Sequence, residues 1–413
     1  MSELVTLSNL YPRPDQTTRG MFNAQLFEAL AERLRAGASP GGPGSGPLQN
    51  VCPVPEWRVW RWPAIRAWQS PRGGAVETRY VPVFYVPRIG RDWSWRTYGW
   101  SLDEAMRSVR DLGRVFSTWL YPDGVAAVRL ASRRGCPAWI MVQGSDTVHL
   151  DHPLRRRAIL EACASAQGLV CVCRSLADRV VAAGVDKGRV HIAPNGVDAG
   201  KFRYRPPADA RGQLGRIGAW PPAAGKGRCL PDARIALFVG HLVPVKGVDV
   251  LFEAWKILLA GRTRGADAPQ LVLVGDGPLR GALERQAERL GIRHEVTFAG
   301  VRSHDEVALW MNAAECLCLS SRSEGMPNAV IEALCCGLPV VSSDVGACRE
   351  LLDGDPGCRT VPPGDAGALA SALADALGAE DCGRQARSVR NAGRFSWGRQ
   401  ADTILNLMGM TPL

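Results

Sequence analysis

The sequence predicts an α/β protein of two domains, each built on a parallel sheet. Three observations carry this. The chain has 413 residues, more than one hydrophobic core organises. Short apolar runs alternate with stretches of helical period in both halves. A segment rich in Pro, Gly, Ala and Arg, 203–232, separates those halves and reads as a linker or surface insertion.

The first half, 1–202, opens on the apolar run LVTLSNL and a turn-rich loop. MFNAQLFEALAERLRA then places Met21, Phe22, Leu26, Leu30 and Leu34 at helical spacing. Residues 36–50 read as a flexible Gly/Pro loop, and 51–100 as irregular and aromatic. SLDEAMRSVRDLGRV predicts a helix capped by Ser101, with Glu104 completing a capping box. FSTWL, AWIMVQG and GLVCVC predict buried strands, with HPLRRRAILEACASA as a helix between the last two and RVHIAPNGVD closing the half.

The second half, 233–385, alternates more cleanly. RIALFVG, QLVLVG, VTFAG, ECLCLS and LPVVSS read as strands; VDVLFEAWKILLAG, PLRGALERQAERLG, SHDEVALWMNAA and PNAVIEALCCG read as helices. Apolar runs of this length between helices mean a sheet covered on both faces. Such sheets bind ligands beyond the carboxyl ends of their strands. Residues 386–413 are expected to form a C-terminal helix.

Composition narrows the class. No apolar run is long enough to span a bilayer, and the first residues lack the basic start and apolar core of a signal peptide, so a cytoplasmic protein is expected. The 13 cysteines are odd in number, sit in apolar runs and include no CxxC pair, which points to reduced, buried thiols rather than disulfides or zinc. The formal charge is +10 and is concentrated in the first half. Residues 51–100 hold seven of the 13 Trp and eight Arg against three acidic residues. Trp57, Trp60, Trp62 and Trp68, interleaved with Arg58, Arg61 and Arg66, suit an anionic membrane surface. Nucleic acid is not expected, because no binding motif accompanies the charge.

The chemistry lies in the second half. In Ser321–Glu332 a strand ends, Gly325 allows a tight turn, and Pro327 fits the first helical position before Asn328. Glu324 then precedes the helix and Glu332 lies more than one turn inside it. Between them the first-turn N–H groups, with the positive end of the dipole, suit a pyrophosphate. Each carboxylate could accept from hydroxyls, which is the layout of a nucleotide sugar. Upstream, the loop after RIALFVG carries Gly240, His241, Lys246 and Gly247, with Lys246 able to neutralise phosphate. Gly275-Asp276-Gly277-Pro278 forms a turn that can wall a base.

Together these residues resemble the retaining family 4 glycosyltransferases. The motifs that carry the resemblance are Glu324 to Glu332 as E-x7-E, the Gly240–Gly247 loop, Gly275–Pro278, Asn195–Asp198, the SSDVGACREL loop with Glu350, and Phe395-Ser396-Trp397. The resemblance implies a GT-B fold: two facing Rossmann-like domains, an interdomain donor cleft, and a C-terminal segment crossing back to the first domain. It implies that Glu332 binds the donor ribose and that Glu324, with the backbone of Gly325, Met326 and Pro327, faces the donor sugar. Lys246 would bind the diphosphate, and Gly20 would belong to the first domain's glycine loop. Two residues depart from the pattern. His241 stands where many members have Arg, and Gln143 stands where a His often faces the donor sugar, so Gln143 inherits a catalytic position without imidazole chemistry.

Retention is expected through front-side attack, with Lys246 and the helix start replacing a metal. Asp353-Gly354-Asp355 reads as a turn rather than a metal-binding Asp-x-Asp. The acceptor is expected to be a glycan or lipid-linked glycan. A phosphorylase, a nucleotide-sugar epimerase and an inactive sugar-nucleotide-binding protein stay open. A dehydrogenase would need a G-x-G-x-x-G turn after a strand, and none is so placed.

Overall fold

A computed structural model describes residues 3–16, 19–37, 48–68, 74–85, 90–107, 112–220, 223–224, 227–228, 233–260, 268–380 and 383–410. Most of the Gly/Pro loop at 36–50 and much of 221–232 lie outside the described residues. The chain divides into two compact units, one formed by Met1–Gly196 with Trp397–Leu413, the other by Val197–Ser396.

The first unit holds strands β1 (Glu3–Leu7), β2 (Leu48–Pro55), β3 (Val76–Val83), β4 (Leu112–Ser117), β5 (Ala138–Val142), β6 (Gly168–Cys171) and β7 (Val190–Ile192). They form a sheet of order β3-β2-β1-β4-β5-β6-β7 in which every pairing is parallel. Helices α1 (Met21–Ala36), α2 (Trp62–Arg66), α3 (Ser94–Ala105), α4 (Val125–Arg134), α5 (Pro153–Ser165) and α6 (Arg174–Ala182) belong to this unit. The inner strands β5 (AWIMV) and β6 (GLVC) are short, apolar and buried throughout, because parallel strands covered on both faces have no solvent side.

The second unit starts with α7 (Pro207–Arg216) and the small hairpin β8 (Ala223–Ala224) and β9 (Gly227–Arg228). Its main sheet contains β10 (Ile235–Val239), β11 (Gln270–Val274), β12 (Val296–Gly300), β13 (Cys316–Leu319), β14 (Val340–Ser343) and β15 (Arg359–Val361), in the order β12-β11-β10-β13-β14-β15, again all parallel. The helices are α8 (Val248–Ala260), α9 (Arg280–Arg289), α10 (His304–Ala313), α11 (Asn328–Cys335), α12 (Cys348–Leu352), α13 (Ala366–Gly378) and α14 (Arg384–Arg394). Phe238, Phe252 and Trp255 lie fully buried in one core with Leu373 and Leu377 of α13. The last helix, α15 (Trp397–Leu407), returns to the first unit, where Asp402 pairs with Arg33 of α1 at 2.7 Å.

Four local expectations are corrected. Residues 51–100 are not irregular: they contain most of β2, all of β3 and most of α3. The prolines that obscure these strands sit where a ladder hydrogen bond is not required. Pro53 and Pro55 lie past the stretch of β2 that pairs with β1, and Pro82 is on the edge strand β3. Ser101 does not cap a helix but lies inside α3, which ends at Ala105, and LGRVFS joins the sheet instead. The capping box that does form is Ser303 with Glu306 at α10. The C-terminal stretch is two helices, broken at Phe395, rather than one, and 203–232 contains α7.

Among the described residues, no helix is long and apolar enough to cross a membrane. The described cysteines are free, and all but half-buried Cys136 are buried.

Both sheets are doubly wound. Strand order reverses between β1 and β4 in the first and between β10 and β13 in the second. At such a reversal the two following loops diverge to opposite faces and leave a crevice at the carboxyl ends. The topology therefore singles out two pairs of loops before any side chain is considered.

Candidate functional site

At the second reversal, the loop after β10 ends in a short 3-10 turn, Pro244–Lys246, and Gly247 takes a left-handed φ of 61°. A side chain at Gly247 would strike the Ser320 carbonyl at 2.2 Å. That close approach latches the loop to the one after β13: Ser320 Oγ donates to the Lys246 carbonyl at 3.0 Å and the Arg322 amide to the Val245 carbonyl at 2.8 Å. Arg322 also donates to the Pro244 carbonyl and to both oxygens of Asp249.

The latch brings the two expected catalytic groups of this unit together. Lys246 Nζ lies 2.6 Å from Glu324 Oε1, and Ser321 Oγ donates to the same oxygen at 2.6 Å. The side chains are 23% and 11% exposed, so the pair is shielded but open to a ligand. The sequence reading set these groups at different parts of one ligand, whereas here they touch. A ligand using both must fit beside the pair or draw it apart.

Beyond Glu324, Pro327 is the N-cap of α11 rather than its first residue, Asn328 opens the helix, and no side chain caps it. Met326 and Pro327 are buried, and Gly325 and Asn328 are half-buried. The loop after β14 supports this turn. Gly346 has φ 57°, a Cβ there would meet the Glu324 and Gly325 carbonyls at 2.5 Å, and the Ala347 amide donates to the Gly325 carbonyl at 2.9 Å. Glu332, in the second turn of α11, is half-buried, and its carboxylate has no hydrogen-bond or ion-pair partner among the described residues. Burial pushes its carboxyl up to about 7.

His241 is exposed on the same loop as Lys246. Gly275 and Gly277 are fixed by loop packing: a Cβ would meet the Gly240 carbonyl at 2.0 Å and the Leu242 carbonyl at 2.5 Å. The Leu242 amide donates to the Asp276 carbonyl, and that of Gly275 to the Gly300 carbonyl, so the loops after β10, β11 and β12 form one hydrogen-bonded rim. Asp355 of the Asp-x-Asp sequence is buried against Arg387 and Arg390 at 2.9 and 2.8 Å. Its carboxylate is used internally.

Gly20 and Gln143 lie in the first unit, Gly20 between β1 and α1 at that sheet's own reversal and Gln143 directly after the neighbouring β5. Gly20, with φ 67°, packs on the backbone of Leu10 and Tyr11 and starts α1. Asn23, one turn on, accepts from Gln143 Nε2 at 2.7 Å and donates to the Leu10 carbonyl at 2.8 Å. The backbone of Gln143 is locked by Asp146, a buried carboxylate that also accepts from the amides of Gly144 and Leu120. Gln143 Oε1 is buried with no partner, as are Asp123 Oδ1, Asn9 Oδ1 and Thr118 Oγ1. Burial raises Asp123 to about 7, against the Asn9 amide that donates to it at 2.8 Å. Unpaired buried polar atoms are costly, and these four lie in the segments that follow β1, β4 and β5. The sequence reading missed Asp123, Asn9 and Asn23; the signal is position, Asn9 and Asp123 following β1 and β4 and Asn23 lying in the first turn of α1.

Three cations of the aromatic segment are paired. Arg58 and Arg61 contact buried Glu56 at 2.8 and 3.0 Å, and Arg66 faces Glu104 at 3.4 Å. Trp57 and Trp60 remain 49% and 67% exposed, while Trp62 is half-buried.

Two doubly wound units, the second with a lysine and an acidic turn at its reversal, define the GT-B class of fold. The comparisons agree. Residues 233–379 match the family described as glycosyl transferases group 1, and residues 64–201 match glycosyltransferase family 4, so the two matches cover most of the chain. Sucrose-phosphate synthase from Thermosynechococcus elongatus superposes with a TM-score of 0.73 over 98% of both chains at 20% identity. HepE from Anabaena, solved with UDP and glucose, gives 0.70 over 99% of this chain and 100% of that one at 14% identity. D-inositol 3-phosphate glycosyltransferase 2 of Catenulispora acidiphila is 34% identical over 228 residues, 53% of this chain and 50% of that protein. The chain thus spans about half the length of the curated relatives it matches. It belongs to the family 4, group 1 glycosyltransferases.

Proposed function

We propose that the chain moves a hexosyl group from a nucleoside-diphosphate sugar to a glycan or lipid-linked acceptor, with retention and without a metal. One observation carries this reading most: Glu332, a half-buried carboxylate with no protein partner, stands on the helix whose start follows the Lys246–Glu324 pair. Structural neighbours solved with UDP and UDP-glucose support the donor class.

In this mechanism Lys246 and the start of α11 hold the diphosphate, and Glu332 accepts from the ribose hydroxyls. The bond from the anomeric carbon to the phosphate oxygen breaks, and the bond to the acceptor oxygen forms on the same face. The acceptor's proton passes to the departing phosphate. Lys246 stabilises the charge that grows there, and Glu324 fixes both Lys246 and the sugar hydroxyls. The names of the relatives favour a second acceptor, a phosphorylated inositol.

The test is a thermal-shift screen of UDP-, GDP- and ADP-sugars, followed by titration of the best donor at two pH values. A diol donating to Glu332 favours its ionised form. Affinity should therefore rise with pH through about 7 and fall below it. The rise should vanish in Glu332→Gln. No stabilisation by any nucleotide sugar would remove the proposal, and a flat profile in the native protein would remove the role of Glu332.

The exposed Trp57 and Trp60 would dock this unit at a membrane, assisted by Trp62. Because Arg58, Arg61 and Arg66 are each paired, charge should contribute less than ring insertion. Flotation with anionic vesicles at low salt should carry the protein upward, and Trp57→Ala with Trp60→Ala should abolish this. Absence of binding at low salt would dispose of membrane docking.

A further inference from the structure

A second binding feature lies on the first unit, between α3, α4 and α5. A groove of about 340 Å3 is lined by Asp92, Trp93, Trp95, Arg96, Arg129 and Arg157, among others. A smaller hollow of about 100 Å3 shares Trp95, Arg96 and Arg129 and adds Trp100. The larger volume lies in the range of small-ligand sites.

Trp93 and Trp100 are 58% and 73% exposed. They stand seven residues apart at the start and in the body of α3, roughly 10 Å along the helix axis. Trp95 between them is stacked by Arg129, whose guanidinium carbon lies 3.8 Å from the ring centroid. Trp93 lines the larger groove and Trp100 the smaller hollow, and large rings exposed beside a concave surface are apolar platforms. The face of a pyranose ring, which carries C–H bonds, is a flat apolar surface of matching size.

Charge selects among sugars. Asp92 is paired with Arg155 at 2.7 Å, Glu161 with Arg129 and Arg157 at 3.2 and 3.0 Å, and Asp103 with Arg133 at 2.6 Å. Arg96 differs. It leans on the rings of Trp93 and Trp95 at 5.8 and 5.2 Å and has no carboxylate partner among the described residues. A guanidinium held between aromatic rings is a planar donor for one carboxylate or phosphate. The paired acids around it remain acceptors for hydroxyls. A flat lipid surface would use neither the concavity nor those acids.

We propose that this groove and the hollow beside it bind an anionic oligosaccharide, with sugar rings on Trp93 and Trp100 and an acidic substituent on Arg96. The proposal concerns binding alone and stands whether or not the chain transfers sugar. The test titrates the full chain with an oligogalacturonate and with a neutral malto-oligosaccharide, read by tryptophan fluorescence and calorimetry. The acidic oligomer should saturate and bind at least about tenfold more tightly than the neutral one. Arg96→Ala and Trp100→Ala should each weaken it by a similar factor. Both side chains are exposed, and an unchanged melting temperature would show that the variants fold. No saturation, equal affinity for the two oligomers, unaltered affinity in both variants, or retention on anionic vesicles without oligosaccharide binding would each overturn it.

Discussion

Lys246→Ala is expected to reduce glycosyl transfer by a factor of at least about 10² to 10³, the range found when one preorganised charge-stabilising group is removed from an active site. The expectation rests on position. Lys246 is held at the reversal of the second sheet by Gly247, Ser320 and Arg322, which act on the backbone and survive the substitution. Glu324→Gln should cause a comparable loss through a different route. It keeps the shape and the contact with Ser321 but removes the charge that fixes the ammonium 2.6 Å away. Neither change opens the core, so the melting temperature should fall by only a few degrees while release of nucleoside diphosphate on adding acceptor disappears. Arg322→Ala separates placement from chemistry, because it loosens the loops without touching the pair. It should raise KM more than it lowers kcat. Full turnover in purified Lys246→Ala would refute the assignment of that lysine.

Much of this arrangement is legible in the sequence, and the reason is local. A buried parallel strand must be a short apolar run, so β10, β11, β13 and β14 announce themselves, and the reactive loops follow as whatever comes next. Gly247, Glu324 and Glu332 can be named because their demands, a left-handed turn and two acids around a helix start, are set within a dozen residues. What stays hidden depends on partners distant in sequence. Gly346 looks like any loop glycine until the Glu324 and Gly325 carbonyls are seen 2.5 Å from where its Cβ would be. Asp123 gives no local sign of being raised to about 7, since its burial comes from β1 and β4 meeting. β2 and β3 are obscured because their prolines are tolerated only through their places in the sheet.

The largest stability effect is expected from Arg387→Met, in helix α14. Three arginines of α14 reach carbonyls at the carboxyl ends of three helices: Arg384 those of Met311 and Ala314 at α10, Arg387 that of Gly337 after α11, and Arg394 that of Glu350 at α12. Cations there meet the negative end of each dipole. Arg387 adds a buried pair with Asp355, the two side chains being 5% and 7% exposed. Burial alone would raise the Asp355 carboxyl, but the hydrogen bonds and charge of Arg387 outweigh it and hold the group below its ordinary value. Methionine fills the volume yet leaves a buried carboxylate with the Gly357 amide and Arg390, which is 60% exposed, and no buried cation. Breaking such a pair costs about 3–5 kcal/mol, a fall on the order of 10 °C in the melting temperature of a unit this size. Arg390→Ala removes the exposed partner and should cost about 0–1 kcal/mol. The pH dependence has a definite sign. A depressed carboxyl pKa stabilises the fold above the ordinary carboxylate range, and that contribution is lost as pH falls through the folded value. The gap between native protein and Arg387→Met should therefore be widest near neutrality and narrow in acid. A methionine variant melting within about two degrees of the native protein at neutral pH, where the expected loss is several times larger, would mean that this pair does not hold α14 in place.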